Sequence, residues 1–169
     1  MKRFTAVLLL GAVLFAAITS HAAPAADADE QAALEAATAW LAILDAGNFN
    51  AAGAGVAKES LANIHWPTPE ENAAAMGNLL ALQRTSGGTR KVARQLQPDA
   101  TKRVTSCNCG IRDGDFYVFT YSVKYSWLDH HVGFVKEGTE VLYMLRESDG
   151  SWKPAFITLQ VNDQHAFPA

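Results

Sequence analysis

Cysteine is scarce in this chain. Its 169 residues hold two, Cys107 and Cys109, one residue apart in "VTSCNCGIRDG". A domain of this length buries a core without disulfides to support it, and two thiolates are too few for a metal site when no His or Met lies near them in sequence. Basic charge is also short. With Lys2 and Arg3 set aside, 12 of the 14 basic residues remain against 17 acidic ones, a net of −5. That balance argues against nucleic acid, which needs a basic patch, and against electrostatic docking on anionic lipid. Beyond the N-terminus no run is long and apolar enough to span a membrane. There is no nucleophile elbow, phosphate loop, metalloprotease motif or triad order, and there are no repeats and no linker.

The N-terminus is the one long apolar stretch. Lys2 and Arg3 precede the uncharged run Phe4–Thr19, and Ser20-His21-Ala22 puts small residues at the two positions a signal peptidase reads. This is the pattern of a secretory signal peptide. No cysteine stands at the cleavage point, so a lipoprotein signal does not fit. Residues 1–22 are expected to be removed. The mature chain is expected to be periplasmic or secreted from a bacterium, with no membrane attachment. Residues 23–28 read as a flexible leader, 29–162 as a single domain and 163–169 as a tail.

Within the domain the apolar period changes once. Leu34, Ala37, Leu41 and Leu44 fall on a helical stripe with Trp40 beside it, capped by Asp27 or Asp29 and stopped by Gly47. Asn50–Ile64 reads as a weaker helix, diluted by Gly53 and Gly55. Thr68, Pro69 and Glu71 form a capping box that opens a third helix, which ends at Gly87-Gly88. After Gly88 the period is two. Short strands are expected at Thr89–Gln97 and Ala100–Cys107, a long one at Asp115–Trp127, and others at Thr139–Glu147 and Ser151–Val161. Asp113-Gly114 and Ser148-Asp149-Gly150-Ser151 are turn signals. Helices followed by an antiparallel meander make an α+β domain, with N-terminal helices packed on a curved antiparallel sheet.

"AATAWLAILDAGNFNAA", a helix ending in arginine, Arg90 and Arg94 at the first strand, "DGDFYVFTYSVKY" and "EVLYMLRESDGSWK" together resemble the exported bacterial domain-of-unknown-function family 4019, over roughly Ala33 to Thr158. Met76 stands where that family has a third-helix tryptophan, and "WKPAFI" replaces its Gly-Tyr pair. The resemblance implies a cystatin-like, nuclear-transport-factor-2-like cone, in which a bent sheet wraps a long helix. It implies no particular reaction, because the family has no agreed activity and such cones host enzymes and binding modules alike.

Candidate chemistry is limited. Cys107 and Cys109 would share one side of a strand. In an oxidising compartment a local disulfide is the first expectation, and Asn108 and Gly110 tolerate the pinch it needs. Two free thiols, an intermolecular link, a soft metal such as Cu(I) and a redox pair follow in that order. Asp129-His130-His131 reads as a solvated hairpin tip rather than a metal site or a pH-sensitive hairpin. Tyr117, Phe119, Tyr121, Tyr125 and Trp127 share one face of the long strand. With Trp40 they are the candidate lining of an apolar pocket with polar tips, against the alternative of an ordinary core. No catalytic residues, cofactor or metal are assigned. The expected role is a non-catalytic binding module for a small apolar ligand or a protein partner, with a homodimer as one possible assembly. The alternatives are an isomerase or dehydratase using a buried Asp or His, with Asp45 at the end of the first helix the position to watch, and a redox or metal role for the Cys-Asn-Cys segment.

Overall fold

The computed structural model describes residues 27–58, 68–85, 91–95, 97–107, 113–129 and 132–168. The expected signal peptide, most of the leader, His65, Arg90, Cys109, His130 and His131 lie outside them. The chain runs α1 (Ala28–Asp45), α2 (Phe49–Ala54), α3 (Pro69–Thr85), β1 (Lys91–Arg94), β2 (Ala100–Val104), β3 (Phe116–Asp129), β4 (Val132–Arg146) and β5 (Trp152–Pro168). The helices pack against a curved, open antiparallel sheet, which is the expected α+β class. No helix among the described residues is long and apolar enough to cross a membrane.

Local chemistry sets the helix ends. Asp27 caps α1 by accepting from the Glu30 N–H at 2.7 Å, with Asp29 and Glu30 in the first turn, where acids favour the helix dipole. Ala33, Ala37, Trp40, Leu41 and Leu44 form its buried face. Gly47 then takes a φ of +78°, which glycine adopts without a Cβ clash. The capping box of α3 is present: Thr68 Oγ1 accepts from the Glu71 N–H at 3.2 Å, and the Thr68 N–H donates to Glu71 Oε2 at 3.1 Å. The second helix is shorter than its expected range, with α2 ending at Ala54. Gly53 has a use that a propensity reading misses: a Cβ there would lie 2.3 Å from the Ala73 carbonyl oxygen of α3. The glycine permits a close helix crossing.

The sheet is built around β3. Antiparallel β1 and β2 lie end to end along one edge of it, pairing with residues 123–126 and 116–120, and β4 takes the other edge. Strand β5 pairs with β4. The β4 and β5 strands are longer than alternation implied. The latter continues to Pro168, so residues 163–168, expected as a tail, pair with the start of β4. "NDQH" carries no apolar alternation, and from Asp163 onward it pairs with a long neighbouring strand, which a hydrophobicity pattern does not register. Tyr117, Phe119, Tyr121, Val123 and Tyr125 of β3 and Leu142 and Met144 of β4 are buried against α1. On the reverse face a smaller cluster joins Phe116 and Leu145 to Val104, Cys107, Tyr143 and Ala155.

Asp27 also ties α1 to the sheet. Its carboxylate accepts from the Tyr117 hydroxyl at 2.9 Å and lies 3.7 Å from Arg103. The Glu30 N–H, then the Tyr117 hydroxyl and the Arg103 charge, hold this carboxyl below its ordinary 3.8. A depressed folded-state pKa stabilises the fold above the unfolded value, and that contribution is lost as pH falls through the folded value. Urea midpoints measured at pH 5 and below pH 3.8 are expected to drop less for Asp27→Asn than for the native chain. An equal drop would remove Asp27 from the acid sensitivity.

Candidate functional site

The most unusual group in the core is a set of four charges. Glu140 lies on the β4 face that also carries Leu142 and Met144, opposite Tyr121 of β3, so strand alternation drives it into the core. Arg84 enters from the last turn of α3, Arg94 from the end of β1, and Asp45 is the last residue of α1. The side chains of Arg84, Arg94 and Glu140 are 7, 6 and 4 % exposed, and Asp45 is 21 % exposed.

Each carboxylate is held by both arginines. Arg94 Nε and Nη2 donate to Asp45 at 2.9 and 3.1 Å, and Nη2 lies 2.6 Å from Glu140 Oε2. Arg84 Nη2 donates to Glu140 Oε2 at 3.3 Å and lies 3.6 Å from Asp45 Oδ1. Arg84 Nη1 is 2.7 Å from Glu140 Oε1 but off the N–H direction, so that contact is ionic rather than a directed hydrogen bond. The Tyr125 hydroxyl donates to Glu140 Oε1. The guanidinium carbons sit 5.1 Å from the Tyr125 ring centre for Arg84 and 5.5 Å from that of Tyr121 for Arg94, within cation–π range. Burial pushes the Arg84 pKa down against the pull of Glu140 and Asp45. Burial also opposes the charge on Arg94, but its hydrogen bond to Asp45 and the Glu140 charge outweigh that and raise its pKa.

Two cavities with largely apolar walls matter here, and the second of them touches this group through Asp45 and Arg94. One, of about 190 Å³ and partly open to solvent, is lined by Trp40, Val56, Met76, Leu79, Leu80 and Gln83 on the helical side and by Pro154–Ile157 of β5. Gln83 is the one polar side chain among these residues. The other, of about 200 Å³, lies between α1 and the sheet and is lined by Thr38, Leu41, Ala42, Asp45, Val92, Arg94 and Tyr121.

The six aromatics expected in one pocket are therefore divided. Trp40 lines the first cavity, with its indole N–H donating to the Ala52 carbonyl at 2.8 Å. Tyr121 lines the second. Tyr117 stacks on Phe119 within the core, Tyr125 serves the ion group, and Trp127 stacks on Phe134 with ring centres 5.2 Å apart. Distance is the reason. Tyr117 to Trp127 spans about 33 Å of extended strand, too long for one small pocket. Asp45 does face a cavity, as its helix-end position allowed. Cys107 is half-buried against the Phe116–Leu145 cluster. Its expected partner Cys109 is outside the described residues. Among the described residues no group of three or more His, Cys, Asp or Glu is placed to hold a metal.

Glu140 was not singled out from the sequence, and Arg84, as the arginine ending the third helix, and Arg94 entered only through the resemblance. The signal for Glu140 was available: in "TEVLYM" a carboxylate occupies the parity of Leu142 and Met144. No family model matches the chain, and no curated protein matches it.

Proposed function

We propose that this protein is an exported binding module of the family-4019, nuclear-transport-factor-2-like kind, and that it takes a small apolar molecule in the cavity between α3 and β5. The observation that carries this reading is the cavity itself: about 190 Å³ with a mainly apolar wall that includes Trp40 and, at 54 % exposure, Leu79. Apolar cavities of about 150 Å³ stay dry and accept benzene, so a single ring or a short branched chain fits. The isomerase or dehydratase alternative needs a carboxylate with a free lone pair to move a proton. Asp45 and Glu140 are each paired with both Arg84 and Arg94, an arrangement that favours binding over proton transfer.

The test is native mass spectrometry and ligand-observed NMR of the exported chain with toluene. Saturable binding is expected, together with a mass that begins at Ala23. Leu79→Asp, at an exposed position, is expected to weaken toluene about tenfold by setting a charge at an apolar opening while leaving the unfolding transition in place. Toluene that fails to bind, or binds both chains equally, would overturn the ligand reading. A mass retaining residues 1–22 would overturn export by cleavage, and a stable dimer that excludes toluene would transfer the site to a protein partner.

A further inference from the structure

The exposed apolar side chains are not scattered. Among the described residues six large ones stand exposed, and four of them, Leu79, Leu82, Phe156 and Val161, belong to α3 and β5. These two elements border one another, since Leu79 and residues 154–157 of β5 line the same cavity. Strand β5 is also the end of the sheet order β1-β3-β4-β5, so no strand lies beside its outer edge. An unpaired edge is a template for another strand, and proteins commonly blunt it with charge, proline or bulges.

Here the blunting is confined to the ends. Pro154 interrupts the edge on one side, and its carbonyl accepts from the Ala57 N–H at 2.8 Å. Asp163 stands on the other side. The register between β4 and β5 shifts just inside both, so the ladder is regular over residues 156–161, "FITLQV". That window has no charge and no proline. Among the described residues no backbone hydrogen bond from outside the sheet reaches it.

The window suits a second copy of itself. Two β5 strands related by a two-fold axis normal to the sheet run antiparallel, and opposed side chains share a face. Opposed residue numbers must then sum to an even number. With the axis at Leu159, Ile157 meets Val161, Leu159 meets its own counterpart, and Thr158 meets Gln160. Ile157 and Leu159 are the partly buried margin of the core. This register therefore continues the core across the axis, with polar residues opposed on the reverse face. The ends of the window are oppositely charged in sequence, Lys153 before it and Asp163 after it. Antiparallel pairing sets these unlike ends together, whereas a parallel pair would set like ends together.

We propose that this edge is an interface between two copies of the chain. Strand β5 pairs antiparallel with β5 of the second copy about Leu159, joining the two sheets, and Leu79 and Leu82 of each α3 flank the seam. A strand edge and two leucines from each copy make a small interface, below about 1,200 Å² in total, where association is weak and reversible. Neither Leu82 nor Val161 lines the apolar cavity, so variants at these positions report on the interface whether or not toluene binds.

The experiment is sedimentation velocity of the exported chain with hydrogen exchange at two concentrations. A dimer with a Kd of about 10 µM is expected. Amides of residues 157–161 are expected to exchange more slowly at about 100 µM protein than at about 1 µM, on either side of that Kd. Val161→Lys sets a lysine on the edge and is expected to weaken the dimer at least about tenfold. Leu82→Lys, on α3, is expected to weaken it about threefold. Both positions are exposed, so the urea midpoint of the dilute monomer is expected to stay in place. A chain that stays monomeric at the higher concentration would overturn the proposal. So would a dimer that Val161→Lys or Leu82→Lys leaves intact, or one whose β5 amides exchange alike at both concentrations, because such a dimer uses another surface. A monomer whose β5 amides are protected only by an added extended apolar peptide would overturn it in favour of peptide capture.

Discussion

Glu140→Gln is expected to destabilise the protein by about 4 kcal/mol, because breaking a buried ion pair from one side costs far more than the pair contributes. Glutamine has nearly the volume of glutamate, and its carbonyl can still accept from Tyr125. What it removes is one of two negative charges facing Arg84 and Arg94, both more than nine-tenths buried. Asp45 then remains alone against two guanidinium groups, and the core carries a net positive charge that cannot reach water. Burial already pushes the Arg84 pKa down with Glu140 in place, so the loss falls on a group that is poorly solvated to begin with. Urea unfolding measures the effect. Glu137→Gln supplies the contrast: its pair with Lys124 is 2.9 Å long, but both side chains are more than half exposed, and about 0.5 kcal/mol or less is expected. A double variant separates charge from shape. Arg84→Met with Glu140→Leu removes one charge of each sign and leaves Arg94 bonded to Asp45, so it is expected to recover at least half of the Glu140→Gln loss. If Glu140→Gln costs no more than Glu137→Gln, or the double variant is worse than the single one, charge compensation is not what holds this core together.

The same residues show what was legible in the sequence. The class of fold was readable because it rests on local signals: a capping box at Thr68, a stop at Gly47, a change of period after Gly88, and a long strand whose alternate residues are aromatic. Those signals need no knowledge of distant partners. Strand lengths were less readable, since residues 163–168 pair with the start of β4, a distant partner that their own pattern does not announce. The site was least readable. Asp45, Arg84, Arg94 and Glu140 come from four separate elements, and pairs of them lie 49 and 56 residues apart in the chain. Only Glu140 announces itself locally, by breaking an apolar strand face. The aromatic row on β3 gave a true face but not its surroundings, because alternation fixes which side a residue points to and not which neighbour closes over it.

Gly53→Ala makes the opposite point, that a favourable local change can be a poor global one. In a helix interior alanine is favoured over glycine by about 1 kcal/mol, so on propensity α2 should gain. The structure reverses the sign. An added Cβ would sit 2.3 Å from the Ala73 carbonyl oxygen and 2.6 Å from the Gly77 nitrogen, and Gly77 itself has room for no more, with the Phe49 carbonyl oxygen 2.9 Å from its own Cβ position. These obstacles are backbone atoms and cannot swing away, so α2 and α3 must separate. A net loss of about 2–3 kcal/mol is expected, at the upper end for overpacking. Gly55→Ala is the control: its Cβ would meet Trp40 Cδ1 at 3.1 Å, a side chain able to yield, and less than half that loss is expected. The consequence extends to binding. Helix α3 supplies Met76, Leu79, Leu80 and Gln83 to the apolar cavity, and Arg84 to the ion group. Moving it away from α2 shifts one wall of the cavity relative to β5, and toluene affinity is expected to fall about tenfold, equivalent to about 1.4 kcal/mol. A Gly53→Ala chain as stable as the native one would mean that the two helices do not cross at this distance. A chain that is destabilised yet binds toluene normally would place the ligand somewhere other than between α3 and β5.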